Sequence, residues 1–223
     1  MSTDNLASRL GYQFKNVALL AQALTHRSYA SNNNERLEFL GDGALNFIIA
    51  NQLYNRFSKL PEGDLSRLRA QLVKESTLCE IALSLSIGES LKLGEGEMKS
   101  AGWKRPSILA DALEAIVGAV YIDGGHLAAE ALVLQLFNER ISLIDPKIID
   151  KDAKSQLQEY LQAKKIALPD YNVVIIEGEA HAQTFKIACI IEKLNINVAG
   201  EGTSRRNAEQ QAAQLALEKI LAL

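Results

Sequence analysis

Glu35, Glu38 and Asp42 stand within the stretch Asn34-Glu-Arg-Leu-Glu-Phe-Leu-Gly-Asp-Gly-Ala-Leu-Asn-Phe47. Read as a helix at about 100° per residue, the three acids share a wedge of roughly 60°. Leu37, Leu40, Ala44, Phe47 and Ile48 gather on the opposite side, where a core is expected. Like charges on one helix face repel by a few tenths of a kcal/mol per pair. Gly41 and Gly43 each cost a helix about 1 kcal/mol relative to Ala, and glycine lets another backbone or a ligand come close. A second acidic pair, Asp111 and Glu114, stands at i and i+3 in Ser107-Ile-Leu-Ala-Asp-Ala-Leu-Glu-Ala-Ile-Val-Gly118, away from Leu109, Leu113, Ile116 and Val120. Either set alone reads as a solvated face. Two helices that brought four carboxylates together would hold hard divalent cations such as Mg²⁺, which activate water and stabilise the leaving oxygen of a phosphodiester. Spacing alone does not bring the two helices together.

The elements that carry these acids read as helix after helix. Apolar residues recur at helical spacing in Val17–Leu24, Leu37–Tyr54, Leu65–Leu85, Ile108–Ile122 and Leu127–Ile144. Turn signals separate them at Asn32-Asn33-Asn34, Pro61-Glu62-Gly63, Gly94-Glu95-Gly96 and Asp123-Gly124-Gly125. A boundary follows Asp145-Pro146-Lys147. Beyond it, Ala153–Lys164 looks helical, Tyr171–Glu177, Thr184–Glu192 and Asn195–Gly200 read as strands, and Ser204–Leu221 is helical again. The expectation is a mainly α chain: an all-α domain over 1–147, a linker over 148–152, and a small α-β-β-β-α domain over 153–223.

Bulk properties narrow the function classes. The 223 residues are 48% hydrophobic, enough for a real core, and no apolar run reaches the length of a membrane span. Cys79 and Cys189 lie far apart in apolar contexts, which suits buried thiols in a reducing compartment rather than a disulfide framework or zinc site. A cytoplasmic protein without membrane partner is expected. The net charge of −3 belongs to residues 1–150, and residues 151–223 are neutral, so a polyanion must be met by a local patch or through bound cations. Neither His26 nor His126 has a partner at metal-ligand spacing, which points to structural or surface roles; Gly94-Glu-Gly-Glu97 lacks the context of a phosphate-binding loop.

Asn34-Glu-Arg-Leu-Glu-Phe-Leu-Gly-Asp42 resembles the signature of bacterial ribonuclease III. The likeness extends to Leu24-Thr-His-Arg-Ser-Tyr29, to Glu62-Gly-Asp-Leu-Ser-Arg-Leu-Arg-Ala70, to Ile108-Leu-Ala-Asp-Ala-Leu-Glu-Ala115 and to the tail, which resembles a double-stranded-RNA-binding domain. The resemblance implies a Mg²⁺-dependent endoribonuclease that cuts both strands of duplex RNA by hydrolysis, leaving 5′-phosphates and short 3′ overhangs. It implies two Mg²⁺ per site with substrate, Mn²⁺ as a substitute, and no small-molecule cofactor. Glu38, Asp42, Asp111 and Glu114 match the family's metal positions, with Asp42 and Glu114 most tied to catalysis; Glu35 and Glu62 match supporting acidic positions. Processing of ribosomal RNA precursors, of structured messenger RNAs and of transfer RNA follows from the same likeness. Position 43 is Gly where the family usually has Ser or Ala. A non-catalytic duplex-RNA binder is the competing class, and it has no need for repelling carboxylates.

Phe39 sits beside the acidic wedge and away from the expected core stripe. It suits either a subunit contact or packing under a loop, and the resemblance implies a homodimer in which this Phe enters a pocket on the partner. In the tail, Ser204 is a good N-cap, and Arg205 and Arg206 after it oppose the helix dipole unless an anion docks there. Solvated arginines are the alternative; the resemblance implies phosphate contact. It also implies minor-groove reading by Ser155, Gln158, Glu159 and Gln162, and by the loop that contains His181. Asn207 stands where many relatives have Lys.

Overall fold

The computed structural model describes residues 3–145, 153–178 and 183–221; His181 and the expected linker at 148–152 lie outside the described residues. The chain divides into two compact units, Met1–Ile149 and Asp150–Leu223. The first is all-α among its described residues: α1 Thr3–Leu10, α2 Val17–Ala23, α3 Glu35–Arg56, α4 Glu62–Val73, α5 Glu75–Ser84, α6 Glu95–Lys99 and α7 Pro106–Ser142. The second runs α8 Ala153–Ala163, β1 Asp170–Glu177, β2 Thr184–Ile191, β3 Ile196–Gly202 and α9 Arg205–Leu221.

α3 and α7 are the frame of the first unit, and two glycines set how closely they cross. A Cβ on Gly41 would lie 1.8 Å from the Glu114 carbonyl oxygen, and one on Gly118 would lie 2.2 Å from that of Leu37. The helices therefore meet backbone to backbone, which brings the acidic wedge of α3 against the acidic pair of α7. Around this crossing, Leu37, Leu45, Ile48, Ile49, Leu113, Ile116, Val117 and Val120 are buried in one core. α7 is covered on nearly every side from Ile108 to Val120, so it has no broad solvated face, contrary to the amphipathic reading. A helix buried on most of its circumference, with only Asp111 and Glu114 of this stretch left half-buried, belongs at the centre of a fold.

Several expectations are corrected. Phe47, placed on the core side by periodicity, is 61% exposed. The core face of α3 runs instead through Leu37, Gly41, Leu45, Ile48 and Ile49. The single periodic segment Leu65–Leu85 is two helices, because Lys74 adopts an extended conformation (φ −66°, ψ 152°) between α4 and α5. The turn expected at Asp123-Gly124-Gly125 is present as a sharp break in α7, located at the non-helical Gly125 with φ +78°. The Asp123 carboxylate anchors that break by accepting hydrogen bonds from the Tyr12 hydroxyl (2.9 Å) and the backbone N–H groups of Lys15 and Asn16 (both 2.8 Å).

In the second unit the sheet order is β1-β2-β3, antiparallel throughout. Tyr171 faces Cys189, which faces Val198, so these positions share one side of the sheet. Leu157 and Leu161 of α8 and Ala212, Ala213, Ala216 and Ile220 of α9 close over that side with Cys189, Ile191 and Ile196. The last strand starts at Ile196, since Asn195 takes a left-handed conformation after a short 3-10 turn.

Candidate metal centre and nucleic-acid interface

The acidic wedge begins where α3 begins. Glu35 is the first helical residue after the N-cap position Asn34, and its N–H donates to Asn33 Oδ1 at 3.0 Å. The preceding loop is fixed by Asn34 N–H donating to the Thr25 carbonyl (2.9 Å) and by an isolated bridge between Thr25 and Lys92. Ser28 Oγ accepts from the Gly94 N–H at 2.9 Å and tightens the same junction. These contacts hold the segment 25–34 against 92–94, and His26, Arg27 and Asn34 of the first segment line a cleft of about 310 Å³. Its lining mixes signs: Glu35, Glu38, Glu97 and Asp111 with His26, Arg27 and Arg105.

Glu38 from α3 and Asp111 and Glu114 from α7 converge, each offering a carboxylate oxygen within 4.8 Å of the others. All three are half-buried. Burial first, then Asp42, Asp111 and Glu38, push the Glu114 carboxyl up to about 8. Burial, Asp111, Glu35 and Asp42 likewise raise Glu38, against the pull of Arg27. Asp111 is raised by burial and by Glu75, opposed by His26 and Arg27. Three carboxyls raised together are short of positive charge, a deficit that a cation would remove.

Asp42 stands at the edge of this group. It is exposed, it lies outside the convergent trio, and its Oδ1 accepts from Asn46 Nδ2 at 2.7 Å. It is near enough to act electrostatically on both Glu114 and Glu38. Glu35 lines the cleft and receives Arg27 Nη1 at 3.4 Å. Glu62 is elsewhere: it opens α4, accepts from Ser66 Oγ at 2.7 Å, and lines an apolar groove with Phe47, Leu53, Tyr54 and Leu65. Phe39 projects from α3 with 83% exposure beside Leu40 and Ile122.

Sequence reasoning missed the basic wall of the cleft. His26, set aside as structural or surface, lines it, with its Nδ1 2.8 Å from Ser28 Oγ. Arg105 pairs with Glu97 at 3.0 Å across the same wall. The signal was present in the segment Leu24-Thr-His-Arg-Ser-Tyr29, which has no helical period to explain its polar residues.

On the second unit, Gln158, Glu159 and Gln162 are exposed along α8 and Ser155 is half-buried. Ser204 caps α9, its Oγ accepting from the Asn207 N–H at 3.2 Å. Arg205 and Arg206 occupy the first turn and are exposed, and Arg205 Nε donates to Glu209 Oε1 at 3.0 Å. Asn207, in the position noted for a missing lysine, donates from Nδ2 to Thr203 Oγ1 at 3.4 Å. No helix among the described residues is long and apolar enough to cross a membrane.

Residues 16–141 match the ribonuclease-III-like family, and residues 153–220 match the double-stranded RNA binding motif. The chain is 56% identical over 220 residues to "Ribonuclease 3" of Cupriavidus taiwanensis, covering 99% of this chain and 86% of that one. It is 58% identical over 219 residues to "Ribonuclease 3" of Ralstonia pickettii, with 98% and 86% covered. Among solved structures, the nuclease domain of ribonuclease III from Campylobacter jejuni, in a study of the region involved in its dimer formation, superimposes with a TM-score of 0.62 at 43% identity, covering 64% of this chain and 100% of that one.

Proposed function

Because this chain belongs to the ribonuclease III family and is an endoribonuclease of double-stranded RNA, we propose that Glu38, Asp42, Asp111 and Glu114 hold its divalent metal. We take 1–147 as the nuclease domain, 148–152 as the linker and 153–223 as the RNA-binding domain. The donor set fits Mg²⁺: hard carboxylate oxygens from two helices, half-buried and mutually repelling. Two Mg²⁺ per site is our reading, with Mn²⁺ as a substitute. When bound, the metal supplies an acidified water and charge to offset the leaving oxygen.

The chain's own groups set up that chemistry. Glu114 must lose the proton that burial and its neighbours favour before it can serve as a ligand. Asp42, exposed and oriented by Asn46, completes the set from the solvent side. Glu35 supports the cleft through Arg27, and Glu62 acts from a separate groove. Water is the nucleophile, and the products carry 5′-phosphates and short 3′ overhangs.

Phe39 is the dimer contact in this reading. An aromatic side chain 83% exposed beside the site is unexplained by the monomer core, and two-fold symmetry would place one site on each strand of a duplex. Ser155, Gln158, Glu159, Gln162 and His181 read the minor groove, and Arg205 and Arg206 take phosphates. Ribosomal RNA precursors, structured messenger RNAs and transfer RNA are the expected substrates, and a cytoplasmic location accords with two free buried thiols.

The observation that carries the metal assignment is the convergence of three carboxylates within 4.8 Å. Its test is a labelled RNA duplex incubated with Mg²⁺, with a chelator, and with Glu114→Ala protein. Cutting is expected in the first tube alone, with the duplex still bound in the other two. Cleavage that persists in chelator would overturn the metal assignment.

A further inference from the structure

Glu209, one turn beyond Arg205 on α9, has a side chain only 13% exposed and two cations on its two oxygens. Arg205 Nε donates to Oε1 at 3.0 Å, and Lys154 Nζ, from α8, donates to Oε2 at 2.7 Å. Lys154 Nζ also lies 4.5 Å from the ring centroid of Tyr171 on β1. The Lys154 N–H donates to Gln210 Oε1 at 3.1 Å. The start of α8 is thus tied to the first turns of α9 through one carboxylate and its neighbour. α8 carries the residues read above as minor-groove contacts, and α9 opens with the phosphate-binding arginines.

We propose that Glu209 is a positioning residue of the RNA clamp, holding Arg205 by Nε so that its Nη groups meet a phosphate, and fixing α8 at the matching groove position. This rests on the reading that Arg205 touches an RNA phosphate. Fixing a long side chain before RNA arrives reduces the freedom lost on binding. Arg205 remains 63% exposed while held, so its outer edge is open to an anion. Net charge alone argues the other way. A carboxylate beside a phosphate contact repels RNA, and deleting it should tighten binding unless its geometry matters more.

The two effects therefore differ in sign. The experiment uses the full chain with a labelled RNA duplex in chelator, so that nothing is cut, at several salt concentrations. Wild type, Glu209→Gln, Glu209→Ala and Arg205→Ala are compared, each below its unfolding temperature as followed by circular dichroism. Glu209→Ala is expected to bind about tenfold more weakly at about 0.15 M salt, with the log–log salt slope flattened by about one phosphate contact. Glu209→Gln, which keeps the side-chain length and one acceptor oxygen but turns the other acceptor into an NH₂ donor, is expected to fall between wild type and Ala. Unchanged or tighter binding by both Glu209 variants overturns the proposal. So does weaker binding by folded protein with the full slope retained, which marks a structural role alone. If Arg205→Ala itself leaves the slope intact, the phosphate contact at Arg205 fails and the positioning role fails with it. If Arg205→Ala flattens the slope and the Glu209 variants do not, only the positioning role fails.

Discussion

Glu114 in the nuclease unit and Glu209 in the RNA-binding unit are both carboxylates withdrawn from water, and their surroundings differ in one respect. Glu114 is met by Glu38, Asp42 and Asp111, and its carboxyl is pushed up to about 8. Glu209 is also penalised by burial, but Lys154 and Arg205 more than offset it and hold its carboxyl below the usual range. A buried charge must be paired or neutralised. The second unit supplies Glu209 with counter-charges from within the fold, whereas the charged neighbours that act on Glu114 are further carboxylates. On the proposed reading the deficit is a functional sign: a helix crossing that keeps three repelling acids together gives up stability for a bound cation.

The sharpest way to break this comparison is to remove one acid. Glu114→Gln should lower RNA cleavage by at least about 100-fold, since loss of even outer-shell partners of a metal costs about 10- to 100-fold. At pH 8 without metal, the same variant should melt at a higher temperature than wild type, because a repelling charge is gone. A drop in both activity and metal-free melting temperature would mean that Glu114 is instead a structural partner.

The crossing that brings the acids together is tested by a pair of glycines. Gly41→Ala must displace the Glu114 backbone, and a destabilisation of about 1–3 kcal/mol or more is expected in urea unfolding. Gly43 meets nothing within 4 Å of a built Cβ and is exposed. Gly43→Ala should accordingly stabilise by up to about 1 kcal/mol, with activity retained.

Phe39→Ala examines the dimer. If this ring anchors the partner, the dissociation constant should rise roughly 30-fold, as for an interface hot spot of about 2 kcal/mol. Analytical ultracentrifugation over a concentration series reads this directly, and an unchanged association would assign Phe39 some other role.

A smaller, continuous effect is the pH dependence of the metal-free protein. The folded Glu114 carboxyl, at about 8, lies above its ordinary value of 4.5, so the folded state holds more protons between these values. Stability should be greatest below the lower value and fall as pH rises towards 8. Glu209 has the opposite sign, contributing stability above the ordinary carboxylate range that is lost on acidification. Melting curves of wild type and Glu114→Gln between pH 5 and 8.5 should therefore diverge with rising pH, and parallel curves would contradict the shift.

Much of this was legible in the residues. The acidic wedge of α3, the acids at 111 and 114 and the change of pattern after residue 145 all follow from spacing and residue type. The rest depends on tertiary contacts that period cannot report. Helical periodicity separates an apolar face from a polar one, but it does not say which apolar residues meet the monomer's own core; Phe47 looked interior and is exposed. It treats α7 as amphipathic, although a central helix is covered on nearly every side. It counts Gly41 and Gly43 alike, whereas only the first sits where two backbones touch. The cationic side of the cleft came from a loop, where residues carry no periodic signal.

Convergence of Glu38, Asp111 and Glu114 on a shared cation makes one direct claim: binding must expel the proton that Glu114 holds. Calorimetric titration of Mg²⁺ or Mn²⁺ at pH 7, repeated in buffers of different ionisation enthalpy, counts that proton. Release close to one proton per protomer is expected, falling to near zero in Glu114→Gln. Metal binding with no proton release, or binding that Glu114→Gln leaves unaltered, would contradict a cation held among these carboxylates.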